Sequence, residues 1–334
     1  MNNTLSPDSS TLHNKSLCLS PKSKIYVAGH SGMVGSAIVR KLNNKGFNNL
    51  ILRSHKDLNL INQNEVAQFF NNEKPEYVFM AAATVGGIQA NNIYRGKFLY
   101  ENLMIQSNII HAAHEYKIKK LMFLGSACIY PRYALQPIKE EYLLSDYLES
   151  TNEPYAIAKI AGIKMCENYF YQYGENYISV MPNNLYGPND NFDLETSHVL
   201  PALLRKFHEA KSKNSKSVEI WGSGKPKREF MHVDDLADAC FYLMNNLDAK
   251  DLNSKNISHI NIGSGEEVAI KELALLIKSI VGFGGELNFN PNYPDGMPRK
   301  LLDVSRLNNL GWKSKIKLNE GLKSVYDWYL KYIA

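Results

Sequence analysis

Tyr155 and Lys159 stand four residues apart in "PYAIAK", a spacing that puts two side chains on one face of a helix. An ammonium beside a phenol favours the phenolate and lowers its pKa. Such a tyrosine can pass a proton to or from a carbonyl oxygen. Ser126, in "FLGSACIYP", ends an apolar run and can hydrogen-bond the same oxygen. Chance YxxxK pairs are common, so the pair gains meaning from what precedes it: a glycine turn, then a serine at a strand end. Cys128 follows Ser126 by two residues, and His198 stands in "SHVL". A thiol and an imidazole could therefore face a common cleft, with an inert buried cysteine and a helix-capping histidine as the ordinary alternatives.

The glycine turn is "GHSGMVG", Gly29 to Gly35, set between "KIYVA" and "SAIVRKL". A strand that feeds a helix leaves unpaired N–H groups and a partial positive charge at the helix start. A pyrophosphate can sit there when no Cβ blocks it. An ordinary tight turn is the alternative, but the position after the first strand of a βαβ unit points to a dinucleotide. After the second strand, "LRSHKDLNL" presents Arg53, His55 and Lys56 before its first acid, Asp57. An NAD site usually places an acid here for the ribose hydroxyl, whereas cations attract a 2′-phosphate. The stretch favours NADP(H), with solvated loop charges as the alternative.

The elements that must position these groups follow a regular order. "KIYVAG", "NLILR", "EYVFMAAA", "KLMFLGS" and "YISVMPNNLYG" read as strands, with helical segments between them. Strands alternating with helices predict an α/β fold with a parallel, doubly wound sheet, and nearly all-apolar strands predict that both its faces are covered. Beyond Tyr186 the rhythm loosens into a smaller part that closes on an amphipathic helix, "LNEGLKSVYDWYLKYI". The expected division is a disordered tail over 1–23, a nucleotide-binding Rossmann domain over 24–186, and over 187–334 mainly a second lobe, with some chain returning to the first. The tail is rich in Ser, Asn and Thr and lacks an apolar signal core.

The whole has 334 residues, 44% of them hydrophobic, enough for a full core in one large domain or two intimate ones. A net charge of +5 without a dense basic block gives no nucleic-acid footprint, and it suits a substrate carrying several phosphates. The four cysteines are scattered, with no CxxC and no metal-ligand spacing, so a reduced, cytoplasmic protein without a metal is expected. No apolar run reaches the length of a membrane helix.

Taken together with "YENLMIQSNIIHAAH", "MPNNLYGPNDNF", "WGSGKPKREFMHVDDLA" and "DGMPRKLLDV", these motifs resemble the extended short-chain dehydrogenase/reductase family. Within it the match is to the GDP-L-fucose synthase branch, from Lys24 to the last helix. The resemblance implies a Rossmann-type sheet with a smaller C-terminal α/β substrate-binding lobe. It implies an NADPH-dependent conversion of GDP-4-keto-6-deoxy-D-mannose to GDP-L-fucose, by epimerisation at C3 and C5 and then hydride reduction at C4. In that chemistry Cys128 is the base and His198 the acid for epimerisation, while Ser126, Tyr155 and Lys159 serve the reduction.

The same resemblance implies cofactor contacts from Gly29, Ser31, Gly32, Met33, Val34 and Gly35, and from Arg53, His55, Lys56, Asn59 and Leu60. It adds Leu124, Gly125, Lys159, Pro182, Asn183, Asn184, Leu185 and His198. Lys206, Trp221, Arg228, Asp295 and Lys300 are implied for the GDP-sugar. Relatives pair two helices across a homodimer axis. Two other readings stand beside this one: a C4 reductase of a GDP-4-keto-6-deoxy-heptose, with or without epimerase activity, and a catalytically inactive NADP(H) sensor, against which the intact Ser126, Tyr155 and Lys159 argue.

Overall fold

The computed structural model describes residues 19–293 and 295–334, apart from the side chains of Ile88 and Gln89. The first part runs β1 (Ile25–Ala28), α1 (Met33–Asn44), β2 (Leu50–Ile51), α2 (Gln63–Glu73), β3 (Tyr77–Met80), α3 (Ile88–Ile93), α4 (Arg95–Glu115), β4 (Lys120–Leu124), α5 (Glu153–Tyr173) and β5 (Tyr177–Pro182). The second runs β6 (Asn184–Tyr186), α6 (Val199–Ser212), β7 (Ser217–Trp221), β8 (Lys227–His232), α7 (Val233–Asn246), α8 (Ala249–Asn253) and β9 (Ile260–Ile262). It ends with β10 (Glu267–Ala269), α9 (Ile270–Val281), β11 (Glu286–Asn290), β12 (Arg299–Lys300), α10 (Ser305–Asn309) and α11 (Leu318–Tyr332).

Six strands form one parallel sheet in the order β2-β1-β3-β4-β5-β9. Its strands alternate residue by residue between two cores. Ile25, Val27, Phe79, Met122 and Val180 pack with α1 and α7 on one face. Tyr26, Val78, Met80, Leu121 and Phe123 pack with α2, α4 and α5 on the other. A strand with period two whose every residue is apolar can be satisfied only this way. The chain leaves β1 toward β2 and returns to β3 on its other side, so the order reverses between β1 and β3. That reversal opens a crevice at the carboxyl ends of the strands.

The stretch "ISHINIGSG" contributes β9, the sixth strand of the main sheet, where Val180 pairs with Ile260 and Pro182 with Ile262. α7 likewise packs on α1 rather than beside the rest of the second part. The remaining second-part elements make a separate small assembly. β10, β8 and β12 form a sheet with β6 paired to β8, and β7 pairs with β11. A third core of α6, α9 and α11 side chains, including Leu204, Phe207, Leu273 and Val325, closes over them.

The packed chain starts before the boundary expected at residue 23. Leu19 is buried, and its N–H donates to Asn245 Oδ1 at 3.1 Å. The reason is long-range: α7 brings a buried apolar surface to a segment whose own composition is polar. Residues 1–18 of the expected tail, Cys18 among them, lie outside the described residues. Among the described residues, no helix is long and apolar enough to cross a membrane.

Candidate active site

The turn between β1 and α1 is built from its glycines. Gly29 has φ +79°, and a Cβ there would meet the backbone of Ala82 at 2.8 Å. A Cβ on Gly35 would run into the Gly29 carbonyl oxygen. Gly32 differs, because a Cβ there would meet only the Gly29 carbonyl oxygen, at 3.6 Å, and otherwise open space. Gly32 is also the N-cap of α1, with no side-chain cap and no acid in the first turn. The N–H groups of Met33, Val34 and Gly35 therefore open on an uncrowded space with the helix dipole behind them, as an anion site requires. Ser31 lies exposed on the same turn.

At the end of β2 the carboxylate of Asp57 is tied to its own turn. It accepts from the Ser54 hydroxyl at 2.6 Å and the Ser54 N–H at 3.1 Å, and these bonds hold it below the usual carboxylate range. His55 and Lys56 beside it are exposed. Arg53 is less free than the sequence suggests, because its guanidinium pairs with Glu73 at the end of α2. Asn59 caps the following turn through the Ile61 N–H at 3.1 Å, and the Leu60 carbonyl accepts from Asn108.

The reactive residues gather at the carboxyl end of β4. Leu124 and Gly125 lead into Ser126, whose hydroxyl accepts from the Cys128 N–H at 3.4 Å and starts a single 3-10 turn. Cys128 and Tyr155 are both nearly buried and pack together with Ala156, Ala83 and Leu148. Tyr155 projects from the first turn of α5, which opens on Glu153 and Pro154. Lys159 lies one turn on, donating to the Leu124 carbonyl at 2.8 Å, with its ammonium 5.7 Å from the centre of the Tyr155 ring. Helix spacing and a strand-end carbonyl thus bring Ser126, Cys128, Tyr155 and Lys159 into one place.

The expected acidification of Tyr155 is not met. Burial pushes its phenol above the ordinary value, and charge on Cys128 adds to the rise. Lys159 is itself pulled down to about 8 by burial, with Cys128 opposing. Desolvation penalises the charged form of both groups, and it is the largest influence on each. Tyr155 is accordingly a protonated phenol at neutral pH. Burial also pushes the Cys128 thiol up, against the pull of the Lys300 ammonium, the Ser126 hydroxyl and Lys159.

His198 occupies the N-cap position of α6, yet its ring makes no capping bond. The imidazole is open to solvent at the cleft while protein crowds around it. That crowding, with the positive charge of Lys300, holds its imidazolium below the usual range. Lys300 therefore acts on both Cys128 and His198. On the other flank, β5 ends in Pro182 and is followed by Asn183, Asn184 and Leu185. Asn183 Nδ2 donates to Glu229 at 2.5 Å, and Asn184 Nδ2 donates to the Glu229 carbonyl at 3.0 Å.

The second assembly faces this cleft with cations and rings. The Lys206 ammonium lies 4.5 Å from the centre of the Trp221 ring, and Tyr293 stacks on Trp221 at 4.4 Å. Asp295 accepts from the Ser223 N–H and hydroxyl, both at 2.7 Å, so its carboxylate anchors a loop. Arg228 donates to the Lys227 carbonyl, and its second nitrogen reaches the Asp295 carbonyl at 3.5 Å. Lys300 sits opposite Arg228 on the adjacent strand. Sequence reasoning missed Glu229 and Tyr293. An acid beside the apolar Phe230 and Met231 of β8 was the signal for the first, while nothing local in "PNYPDG" marks Tyr293 as the partner of Trp221.

The profile of the NAD dependent epimerase/dehydratase family matches residues 25–263. GDP-L-fucose synthase 1 of Arabidopsis thaliana is 55% identical over 334 residues, covering 100% of this chain and 99% of the relative. The GDP-L-fucose synthase of Escherichia coli (strain K12) is 54% identical over 312 residues, 93% and 97% of the two chains. Among solved structures, a GDP-mannoheptose C4 reductase from Campylobacter jejuni with NADP bound superposes with a TM-score of 0.86 at 51% identity, covering 93% of this chain and 99% of that one. With its six-stranded parallel sheet, its uncrowded glycine turn and full-length likeness to these enzymes, the chain belongs to the NAD dependent epimerase/dehydratase family.

Proposed function

We propose that this protein is an NADPH-dependent epimerase–reductase that converts GDP-4-keto-6-deoxy-D-mannose to GDP-L-fucose. The observation that carries the reading is the meeting of Cys128, Tyr155, Ser126 and Lys159 at the carboxyl end of β4, in a chain 54% and 55% identical to GDP-L-fucose synthases over nearly its whole length.

The residues fit the cofactor. The pyrophosphate would lie on the first turn of α1, where Gly32 leaves room and no acid repels it. Asp57 is turned onto Ser54, and His55 and Lys56 stand exposed beside it as the groups for a 2′-phosphate. Pro182 to Leu185 and Lys159 would flank the nicotinamide end. When bound, NADPH supplies the hydride that reduces the C4 ketone.

Hydrogens on C3 and C5 are acidified by the C4 ketone between them. Cys128, as thiolate, takes each as a proton. The Ser126 and Tyr155 hydroxyls donate hydrogen bonds to the enolate oxygen, and His198 returns a proton from the opposite face. In the reduction Tyr155 gives its proton to the C4 oxygen, and its raised pKa keeps that proton in place until then. The GDP would lie across Lys206, Trp221, Arg228 and Lys300. Arg228 suits a diphosphate because its planar fork can bind two oxygens.

A homodimer paired through α4 and α5 belongs to the same proposal; Tyr100 on α4 and Ile157 on α5 support it by standing exposed on packed helices. So does a place in the cytoplasm. Reduction of a GDP-4-keto-6-deoxy-heptose is the second reading, favoured by the likeness to the heptose C4 reductase. The test is a product analysis: purified protein, NADPH and GDP-4-keto-6-deoxy-D-mannose are expected to yield GDP-L-fucose by NMR. An untouched ketone, with turnover only on the heptose, would hand the assignment to the second reading.

A further inference from the structure

Trp221 closes β7 with its side chain exposed, and Tyr293 stacks on it with 4.4 Å between ring centres and 10° between ring planes. The Lys206 ammonium stands over the same indole at 4.5 Å. A parallel ring fills one face, so the ammonium takes the other. Neither face of Trp221 is left open to a nucleobase.

The backbone builds this pairing of rings. Strands β7 and β11 run side by side until Trp221 stands opposite Asn290, and the Gly222 N–H donates to the Asn290 carbonyl at 2.9 Å. The same carbonyl accepts from the Tyr293 N–H at 3.3 Å, which turns the chain back toward the indole. Past Tyr293, the Asp295 carboxylate accepts from the N–H and hydroxyl of Ser223, two residues after Trp221. A Cβ on Gly222 would strike that carboxylate. Tyr293 is therefore held between two anchors on the chain that carries Trp221. Arg228 reaches the Asp295 carbonyl at 3.5 Å, so the second anchor also holds a guanidinium suited to a diphosphate. A pair of flat rings and a forked cation share one loop, and a nucleoside diphosphate has a base and two phosphates to meet them.

For a base to stack on Trp221, one of its two covers must give way. Lys206 belongs to α6, which packs in the third core, and its ammonium also donates to the Glu219 carbonyl at 3.3 Å. The Tyr293 ring is 38% exposed, and its hydroxyl makes no hydrogen bond among the described residues. Its anchors lie at Asn290 and Asp295, so the ring can turn about χ1 while the loop stays in place. A base between two rings needs about 7 Å, two van der Waals separations. One stacking contact is broken and two are made, which favours the bound arrangement.

We propose that Tyr293 is the second jaw of a nucleobase clamp: its ring swings off Trp221, admits the purine of the GDP-sugar and closes on the outer face of that base. The proposal rests on the reading of Trp221 and Arg228 as GDP contacts.

The test is calorimetric titration of the full chain with GDP, under saturating NADP+ so that the cofactor site is filled. Tyr293→Ala is expected to weaken GDP about tenfold, the contribution of one stacking face. Tyr293→Phe keeps the flat ring and should bind as wild type does. Tyr293→Leu keeps bulk without a flat face and should stay weak. In a Trp221→Ala background, Tyr293→Ala should still weaken GDP, because its ring touches the base and not only the indole. Affinity in Tyr293→Ala equal to or above that of wild type would make the ring a mere cover and overturn the proposal. Full affinity in Tyr293→Leu would make it a space-filler, and no further loss in the Trp221→Ala background would make it a support for the indole; either result also overturns the proposal. Wild-type protein that takes up no GDP would overturn the GDP reading and the proposal with it, whereas a failure confined to the Tyr293 variants leaves that reading standing.

Discussion

Replacing Tyr155 with phenylalanine is expected to slow ketone reduction about a thousandfold, roughly 4 kcal/mol of transition-state stabilisation. The variant removes one oxygen from a ring that is already packed among Cys128, Ala156 and Leu148. That hydroxyl makes no hydrogen bond to the described protein, so no buried partner is stranded by its loss. Folding and NADPH affinity should therefore stay close to wild type, and the effect should fall on kcat. Burial keeps the phenol protonated far above neutral pH, which suits it to give a proton rather than to take one. Steady-state kinetics followed by NADPH absorbance, with cofactor titration by fluorescence, checks both halves. A variant that retains a tenth of the wild-type kcat would remove Tyr155 from the proton path.

Cys128→Ala should act on the other half of the chemistry. Proton exchange at C3 and C5 is expected to fall by about a thousandfold, while hydride reduction of the unepimerised ketone continues. The product would then be a GDP-6-deoxysugar with both centres uninverted. The electrostatics add a pH signature. Burial raises the Cys128 thiol, and crowding with Lys300 lowers the His198 imidazolium. The reactive pair of thiolate and imidazolium is consequently the minority form, and epimerisation should follow a bell-shaped profile between two apparent values that belong to the pair. NMR of the products, with exchange measured across pH, separates the two activities. Persistence of exchange at wild-type rate in Cys128→Ala would mean that another base does the work.

What could be read from the sequence was whatever is local. The step from "KIYVA" through three glycines into α1 carries its own signal, because turn geometry and apolar periodicity are set within a dozen residues. The placement of Ser126 at a strand end and of Tyr155 and Lys159 on one helix face follows in the same way. What escaped depended on chain far away. Leu19 sits in a polar stretch and is buried only because Asn245 and α7 come to meet it. β9 reads as any short strand, and nothing within it says that its partner is β5. Arg53 is legible as a cation but not as the partner of Glu73. The pKa of Tyr155 went the other way because spacing conveys the approach of Lys159 but not the desolvation both suffer. Trp221 was legible only as a GDP-sugar contact implied by the resemblance, whereas its stacking partner Tyr293 comes from the loop after β11.

The central claim is that one cleft both inverts C3 and C5 and reduces C4. The most direct measurement is the isotope content of product made by the wild-type protein in heavy water from GDP-4-keto-6-deoxy-D-mannose and NADPH. The account predicts deuterium at both C3 and C5, with inverted configuration at each, and protium from NADPH at C4. Product reduced at C4 with no deuterium at C3 or C5 would contradict it, and would leave a reductase whose cysteine and histidine have some other task.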